Sequence, residues 1–178
     1  MEAFDSSRWF TGLCGGTIIS SRHVLTAAHC VKGDVSVYLV EQNRSGKKLF
    51  KSKAKVSVRP DYQVTGRWTD SMIDYALLTL EKPIKFVPGF IEAAPMASEN
   101  PRLGAICVQS GWGKTEEGVE SDSLKISTTV IERCQEDGRG RYFCSSSRDE
   151  NGRMAGVCQG DSGGPLVSRR RCGMTMRN

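Results

Sequence analysis

Gly160-Asp161-Ser162-Gly163-Gly164-Pro165-Leu166 sets a serine in a glycine-rich turn that runs into a short apolar strand, Pro165–Ser168. A serine hydroxyl is a poor nucleophile at neutral pH unless an adjacent base takes its proton. Glycines around it let backbone N–H groups approach a developing oxyanion where a bulky side chain would not. Here the donors would be the amides of Gly160 and Ser162. Nearer the N-terminus, Asp74-Tyr75-Ala76-Leu77-Leu78 places an aspartate at the start of a buried strand. Thr26-Ala27-Ala28-His29-Cys30 presents a histidine at the end of an apolar strand. An imidazole can accept the hydroxyl proton and later return it, and a carboxylate behind it fixes its tautomer and stabilises the imidazolium. His29, Asp74 and Ser162 therefore form a candidate catalytic set. His23 reads as an ordinary satisfied or exposed side chain, and Asp70 as a cap or loop residue.

The rest of the chain reads as β structure. Ala54, Val56 and Val58 alternate with Lys53, Lys55, Ser57 and Arg59, the pattern of a half-buried strand. Leu124, Ile126, Thr128 and Val130 alternate with Lys125, Ser127 and Thr129 in the same way, which predicts a strand with the first set inward. Further strands are expected at 17–20, 35–40, 74–80, 105–109 and 165–168, separated by Gly, Pro, Asn and Asp clusters. No stretch sustains a 3.6-residue apolar period over three turns. A Pro- and Ala-rich span from 88 to 101 divides the chain, which predicts an N-terminal unit over 1–90, a linker over 91–101 and a second unit over 102–178.

The 178 residues include 25 Lys and Arg against 20 Asp and Glu, a net charge of +5 that is too mild and dispersed to argue for nucleic acid. The densest basic stretches are Lys47, Lys48, Lys51, Lys53, Lys55 and the trio Arg169, Arg170, Arg171. They read as solvated faces, with a polyanion-binding patch as the alternative. The longest apolar runs, such as Val37-Tyr38-Leu39-Val40, are far too short for a transmembrane helix. The first thirty residues also lack a basic start followed by an apolar signal core, so a mature fragment or a chain without its targeting segment is expected. Seven cysteines without paired C-x-x-C knuckles point to disulfides rather than zinc, and so to an extracellular protein. The Asn43-Arg44-Ser45 sequon agrees with that route.

The three motifs, their order and the flanking Cys14-Gly15-Gly16-Thr17-Ile18-Ile19-Ser20 and Ser110-Gly111-Trp112-Gly113 resemble the chymotrypsin-like serine proteases, over most of the chain. The resemblance implies an all-β fold of two packed, six-stranded antiparallel Greek-key barrels. His29 and Asp74 would lie in the first barrel, Ser162 in the second, and the active site in the cleft between them. It also implies disulfides Cys14–Cys30 and Cys134–Cys144. Cys107 matches a family cysteine whose partner falls at Ser168, so nearby Cys172 is its alternative partner, and Cys158 is the expected free thiol. No cofactor and no metal are implied.

Two departures qualify the resemblance. Family members are cut to expose an Ile/Val-Val/Ile-Gly-Gly terminus whose ammonium pairs with the aspartate before the serine, here Asp161. This chain begins Met1-Glu2-Ala3-Phe4, which leads to the expectation of an unpartnered Asp161 and a zymogen-like, weakly active state. After Arg171 the chain reaches Asn178 without the family's further strands, so the second barrel is expected to be incomplete. The pocket for the side chain before the scissile bond would involve Gly156, Val157 and Gln159. Gly156 supplies no charge, so an apolar or small side chain is expected there. The resulting expectation is a secreted, monomeric serine endopeptidase acting on proteins or peptides and open to protein inhibitors, without nucleic-acid or membrane partners. The alternative is an inactive relative that binds partners, polyanions among them.

Overall fold

Alternation decides how the first sheet forms. Ala76, Leu78 and Leu80 are almost completely buried while Leu77 and Thr79 are half-buried, the period of two that a strand with one covered face requires. The structure, a computed structural model, describes residues 2–5, 8–31, 34–40, 48–58, 74–134, 143–148, 154–168 and 174–176. Its strands are β1 Glu2–Asp5, β2 Arg8–Leu13, β3 Thr17–Ser20, β4 His23–Thr26, β5 Asp34–Val40, β6 Lys48–Val58 and β7 Ala76–Leu80. They continue as β8 Ile106–Gly111, β9 Lys125–Arg133, β10 Phe143–Arg148, β11 Met154–Ala155, β12 Pro165–Ser168 and β13 Met174–Met176. A single 3₁₀ turn, Ala28–Cys30, interrupts this all-β pattern among the described residues.

The strands form two antiparallel sheets. The first has the order β2-β1-β5-β6-β7-β4-β3 and the second β11-β10-β9-β8-β12-β13. In each, one strand returns to lie beside a non-consecutive neighbour, β4 beside β7 and β12 beside β8, which makes both of them Greek keys. The first sheet has seven strands rather than the expected six. Its additional members include the β1–β2 hairpin, which packs onto the edge of β5 and carries no alternation that would have marked it. The span after β7 is irregular, as expected, but it is not loose: Ile84 is buried, its N–H donates to Ser21 O, and the Ala94 N–H donates to Ile18 O.

The two interiors differ. The first contains Val24, Val35, Val37, Leu78, Leu80 and Ile84, with Phe50 and Val56 packed against them. The second has a smaller apolar centre of Cys107, Ile131 and Leu166, with Thr129, Ser147 and Gln109 also buried. This polar interior overturns the expected facing of β9. Ile126 and Val130 point outward, at 67% and 38% exposure, while Thr129 and Ile131 are buried at 1%. The physical reason is that the inward hydroxyls find partners inside. Thr129 Oγ1 donates to Ser146 O at 3.0 Å, and Ser127 Oγ accepts from Gln109 Nε2 at 3.0 Å. A small polar side chain whose hydrogen bond is made internally can occupy a core position without a large penalty.

Lys51, Lys53 and Lys55 all stand exposed on the outer face of β6. Lys51 lies over the ring of its cross-strand partner Tyr38, 5.2 Å from the centroid. Arg169, Arg170, Arg171, Asp70, Cys172 and the Asn43 sequon lie outside the described residues. No helix among the described residues is long and apolar enough to cross a membrane.

Candidate functional site

Strand register brings the histidine to the aspartate. β4 and β7 run antiparallel with Thr26 opposite Ala76. Continuing past that pair, the chain leaves β4 through Ala27 and Ala28 while β7 is entered from Asp74 and Tyr75, so the two ends meet. Thr26, Ala27 and Ala28 are buried at 0%, 0% and 3%, which leaves room only for small side chains where the turn folds over. The His29 N–H donates to Asp74 Oδ1 at 2.8 Å, and His29 Nδ1 lies 2.5 Å from Asp74 Oδ2. One carboxylate therefore holds both the backbone and the ring of His29.

This grip sets the charge state of Asp74. Its side chain is only 9% exposed, and burial by itself would push the carboxyl up. The hydrogen bonds from the His29 ring and N–H, the nearby imidazole charge and the Ala28 N–H outweigh that and hold it below its ordinary value. The Nδ1 of a ring pinned in this way donates to the carboxylate, and Nε2 is the nitrogen that remains to accept a proton.

The backbone of Ser162, in the loop before β12, is tied to the segments that flank this turn. The Gly15 N–H donates to Ser162 O at 2.8 Å, and Thr26 Oγ1 donates to Gly15 O at 2.9 Å. The disulfide Cys14–Cys30, with an S–S distance of 2.08 Å, ties the segment before β3 to the His29 turn. Gly163 is required at the contact. Its φ is +76°, and a Cβ there would overlap Thr26 Oγ1 and lie 2.8 Å from Ala27 N. Among the described residues, the amides of Gly160 and Ser162 donate to no backbone carbonyl.

Asp161 departs from the expectation drawn for it. Its carboxylate is not left without partners: Oδ1 accepts from the Gly113 N–H at 2.8 Å and Oδ2 from the Cys158 N–H at 3.0 Å. The Ser110-Gly111-Trp112-Gly113 stretch is shaped around it, because a Cβ at Gly111 or Gly113 would occupy the same space as that carboxylate. Two backbone amides compensate a carboxylate well, and they tie the loop carrying Ser162 to the Gly113 and Cys158 backbone. Sequence reading identified the motif but not this reason for its glycines, the nearer of which lies 48 residues from the aspartate.

Beside Ser162 is a cavity of about 60 Å³, lined by Val157, Cys158, Asp161 and Pro165 and closed below by Gln109 and Ser110. Of the three residues expected around a substrate pocket, Val157 lines it, while Gly156 and Gln159 are exposed and stand outside its wall. Gln109 was not foreseen there, since a glutamine in an apolar strand carries no local signal. A second disulfide joins Cys134 to Cys144. Cys158 is an exposed free thiol. Cys107 is buried in β8 with Ser168 directly across the strand pair. Cys14, His29 and Cys30 bring three ligand-type atoms within 4.8 Å, but both sulfurs belong to the disulfide and offer no thiolate to a metal. His23, away from this cluster, is satisfied by Ser20 Oγ at 2.8 Å.

Comparison with known proteins bears on the whole of this arrangement. The Trypsin family profile matches residues 3–176. Trypsin epsilon of Drosophila erecta is 35% identical over 170 residues, which covers 90% of this chain and 65% of that protein. Spermosin of Halocynthia roretzi is 34% identical, with 88% of this chain and 44% of its own length covered. Submandibular glandular kallikrein-9 of Rattus norvegicus is 31% identical, with coverages of 88% and 66%. Among solved structures, neuropsin, a serine protease expressed in the limbic system of mouse brain, superposes with a TM-score of 0.75 at 27% identity. That match covers 96% of this chain and 76% of the neuropsin chain. The chain spans less than two thirds of the length of each of the three curated relatives.

Proposed function

The chain belongs to the trypsin family of chymotrypsin-like serine proteases, and we propose that it is a serine endopeptidase whose catalytic residues are His29, Asp74 and Ser162. The observation that carries this reading is the double hold of Asp74 on the N–H and ring of His29, with the Ser162 loop bonded to Gly15 beside the same disulfide.

The chemistry follows from the groups in place. Ser162 Oγ attacks the scissile carbonyl carbon while its proton passes to His29 Nε2. The amides of Gly160 and Ser162 donate to the oxygen that becomes negative. The tetrahedral species collapses as His29 returns the proton to the departing amine, which leaves an ester on Ser162. Water, deprotonated by the same imidazole, then releases the acid. Asp74 stays ionised throughout and keeps the imidazolium paired.

Proteins or peptides are the substrates this reaction requires, and protein inhibitors that occupy the same cleft are the natural antagonists. The two disulfides support an extracellular location, where such bonds persist. A monomer suffices, because every group named here comes from one chain. Cys107 with Cys172 remains our proposed third disulfide.

The test is turnover of a short peptidyl ester. Asp74→Asn is expected to lower kcat about 10⁴-fold by leaving the imidazole in the wrong tautomer, and His29→Ala is expected to lower it at least as far. A fall of less than tenfold in Asp74→Asn contradicts the assignment.

A further inference from the structure

The outer face of β6 carries a line of one charge sign. Ser52, Ala54 and Val56 turn toward the core, so the alternate residues Lys51, Lys53 and Lys55 share the solvent face. At about 3.3 Å per residue they form a line about 13 Å long, with a cation roughly every 7 Å. Arg22 adds a fourth cation from a distant part of the chain. It is exposed, and its guanidinium donates to Leu80 O at 3.3 Å and to Glu81 O at 3.2 Å. The Glu81 N–H in turn donates to Lys53 O at 3.1 Å, which holds Arg22 one strand away from the lysine line.

Carboxylates do not cancel this charge. Asp34 of β5 and Glu81 just after β7 are the neighbouring acids, and among the described residues neither forms an ion pair with any of the four cations. Like charges gathered on one face repel one another, a cost to the fold that an anionic partner laid along them would relieve. The same face supplies hydroxyls beside the cations. Ser36 lies opposite Lys53 and Thr79 opposite Lys55, donors that suit sulfate or carboxylate oxygens next to an ammonium group. The ring of Tyr38, which a nucleic-acid base would need as a stacking platform, is covered by Lys51 at 5.2 Å. The two disulfides favour an extracellular setting, where sulfated polysaccharides are the common linear polyanions.

We propose that the outer face of β6 is a docking surface for a linear sulfated polysaccharide, with Lys51, Lys53, Lys55 and Arg22 pairing its sulfate groups. The surface is separate from the proposed catalytic set. Thr79, opposite Lys55, lies five residues along the chain from Asp74, roughly 17 Å of extended strand. A polymer held there concentrates the protein on a matrix and leaves Ser162 accessible.

The experiment is calorimetric binding of size-defined heparin as sodium chloride rises from about 50 to 200 mM. Affinity is expected to fall steadily with salt as counterion release weakens. Lys51→Gln, Lys53→Gln and Lys55→Gln combined are expected to weaken binding at least about tenfold and to lower the salt slope by about two to three. Arginine at the same three positions is expected to retain both. Arg102→Gln, Lys125→Gln and Arg133→Gln combined remove as much charge from exposed positions of the second sheet, and are expected to leave affinity within about twofold. No binding of heparin, equal losses in the two glutamine variants, or tighter binding of a single-stranded DNA of the same charge overturns the inference. If the lysine-to-glutamine variant does not fold, Lys53→Glu alone decides: a loss of about tenfold upholds the surface, and an unchanged affinity overturns it. Heparin binding by a chain that hydrolyses no ester upholds the surface and contradicts the peptidase reading. Ester hydrolysis without heparin binding does the reverse.

Discussion

Asp74 is held by the N–H and the ring of His29 together, and its effect on stability has a definite sign. Its carboxyl is held below the ordinary value in the folded chain. The stabilisation is therefore fully present above the unfolded value of about 3.9 and is lost as pH falls through the lower, folded value. Thermal unfolding followed at pH 6, 4 and 3 is expected to show the midpoint dropping at the acid end. Asp74→Asn should flatten that drop while lowering the midpoint at pH 6; an unchanged acid slope in the variant contradicts the linkage. His29, Asp74 and Ser162 could be proposed from the sequence because each lies in a short motif whose neighbours announce it. The hold of Gly113 on Asp161 could not, because it joins residues 48 positions apart. Gly163→Ala tests a contact of the same kind. Its left-handed backbone and the overlap with Thr26 and Ala27 lead us to expect a cost of roughly 1–3 kcal/mol together with loss of activity, although every proposed catalytic group remains. A variant with parent stability and turnover contradicts the packing described.

Strands and their links obey a simpler logic, and here the sequence was right about position more often than about facing. β3 and β12 fall where alternation and turn residues put them. β6 buries Ser52 and half-buries Ala54 and Val56 while Lys51, Lys53 and Lys55 face water. β9 reverses its expected face because Thr129 and Ser127 bond within the barrel, and period-two patterns cannot say which of two mixed faces turns inward. Substitution separates the two facings. Ile131→Ala is expected to cost about 2–5 kcal/mol as a core truncation, and Ile126→Thr within about 0.5 kcal/mol of nothing, both read from denaturant midpoints. The reverse ranking restores the original reading of the strand. The Cys14–Cys30 link closes a loop of 16 residues, for which chain entropy gives about 3 kcal/mol. Replacing both cysteines with serine should lower stability by that order and reduce turnover as well, since the same link steadies the His29 turn against the segment that binds Ser162.

At the level of the entire chain, two Greek-key sheets of unequal character meet at one line of contacts. The first contributes an apolar core and a rigid aspartate–histidine pair. The second contributes a more polar interior and a tight loop that presents a serine. The division into two units was proposed from the break in pattern after residue 88. The docking was not, because the hydrogen bonds of Gly15 with Ser162 and Thr26 join residues whose separation no local pattern encodes. The chemistry proposed at Ser162 requires all of these at once. The most direct trial is exposure of the folded chain to a fluorophosphonate, followed by peptide mass mapping. The account predicts a single covalent adduct on Ser162 that disappears in Ser162→Ala and forms far more slowly in His29→Ala. A folded chain that takes no label, or one labelled at a different serine, contradicts it.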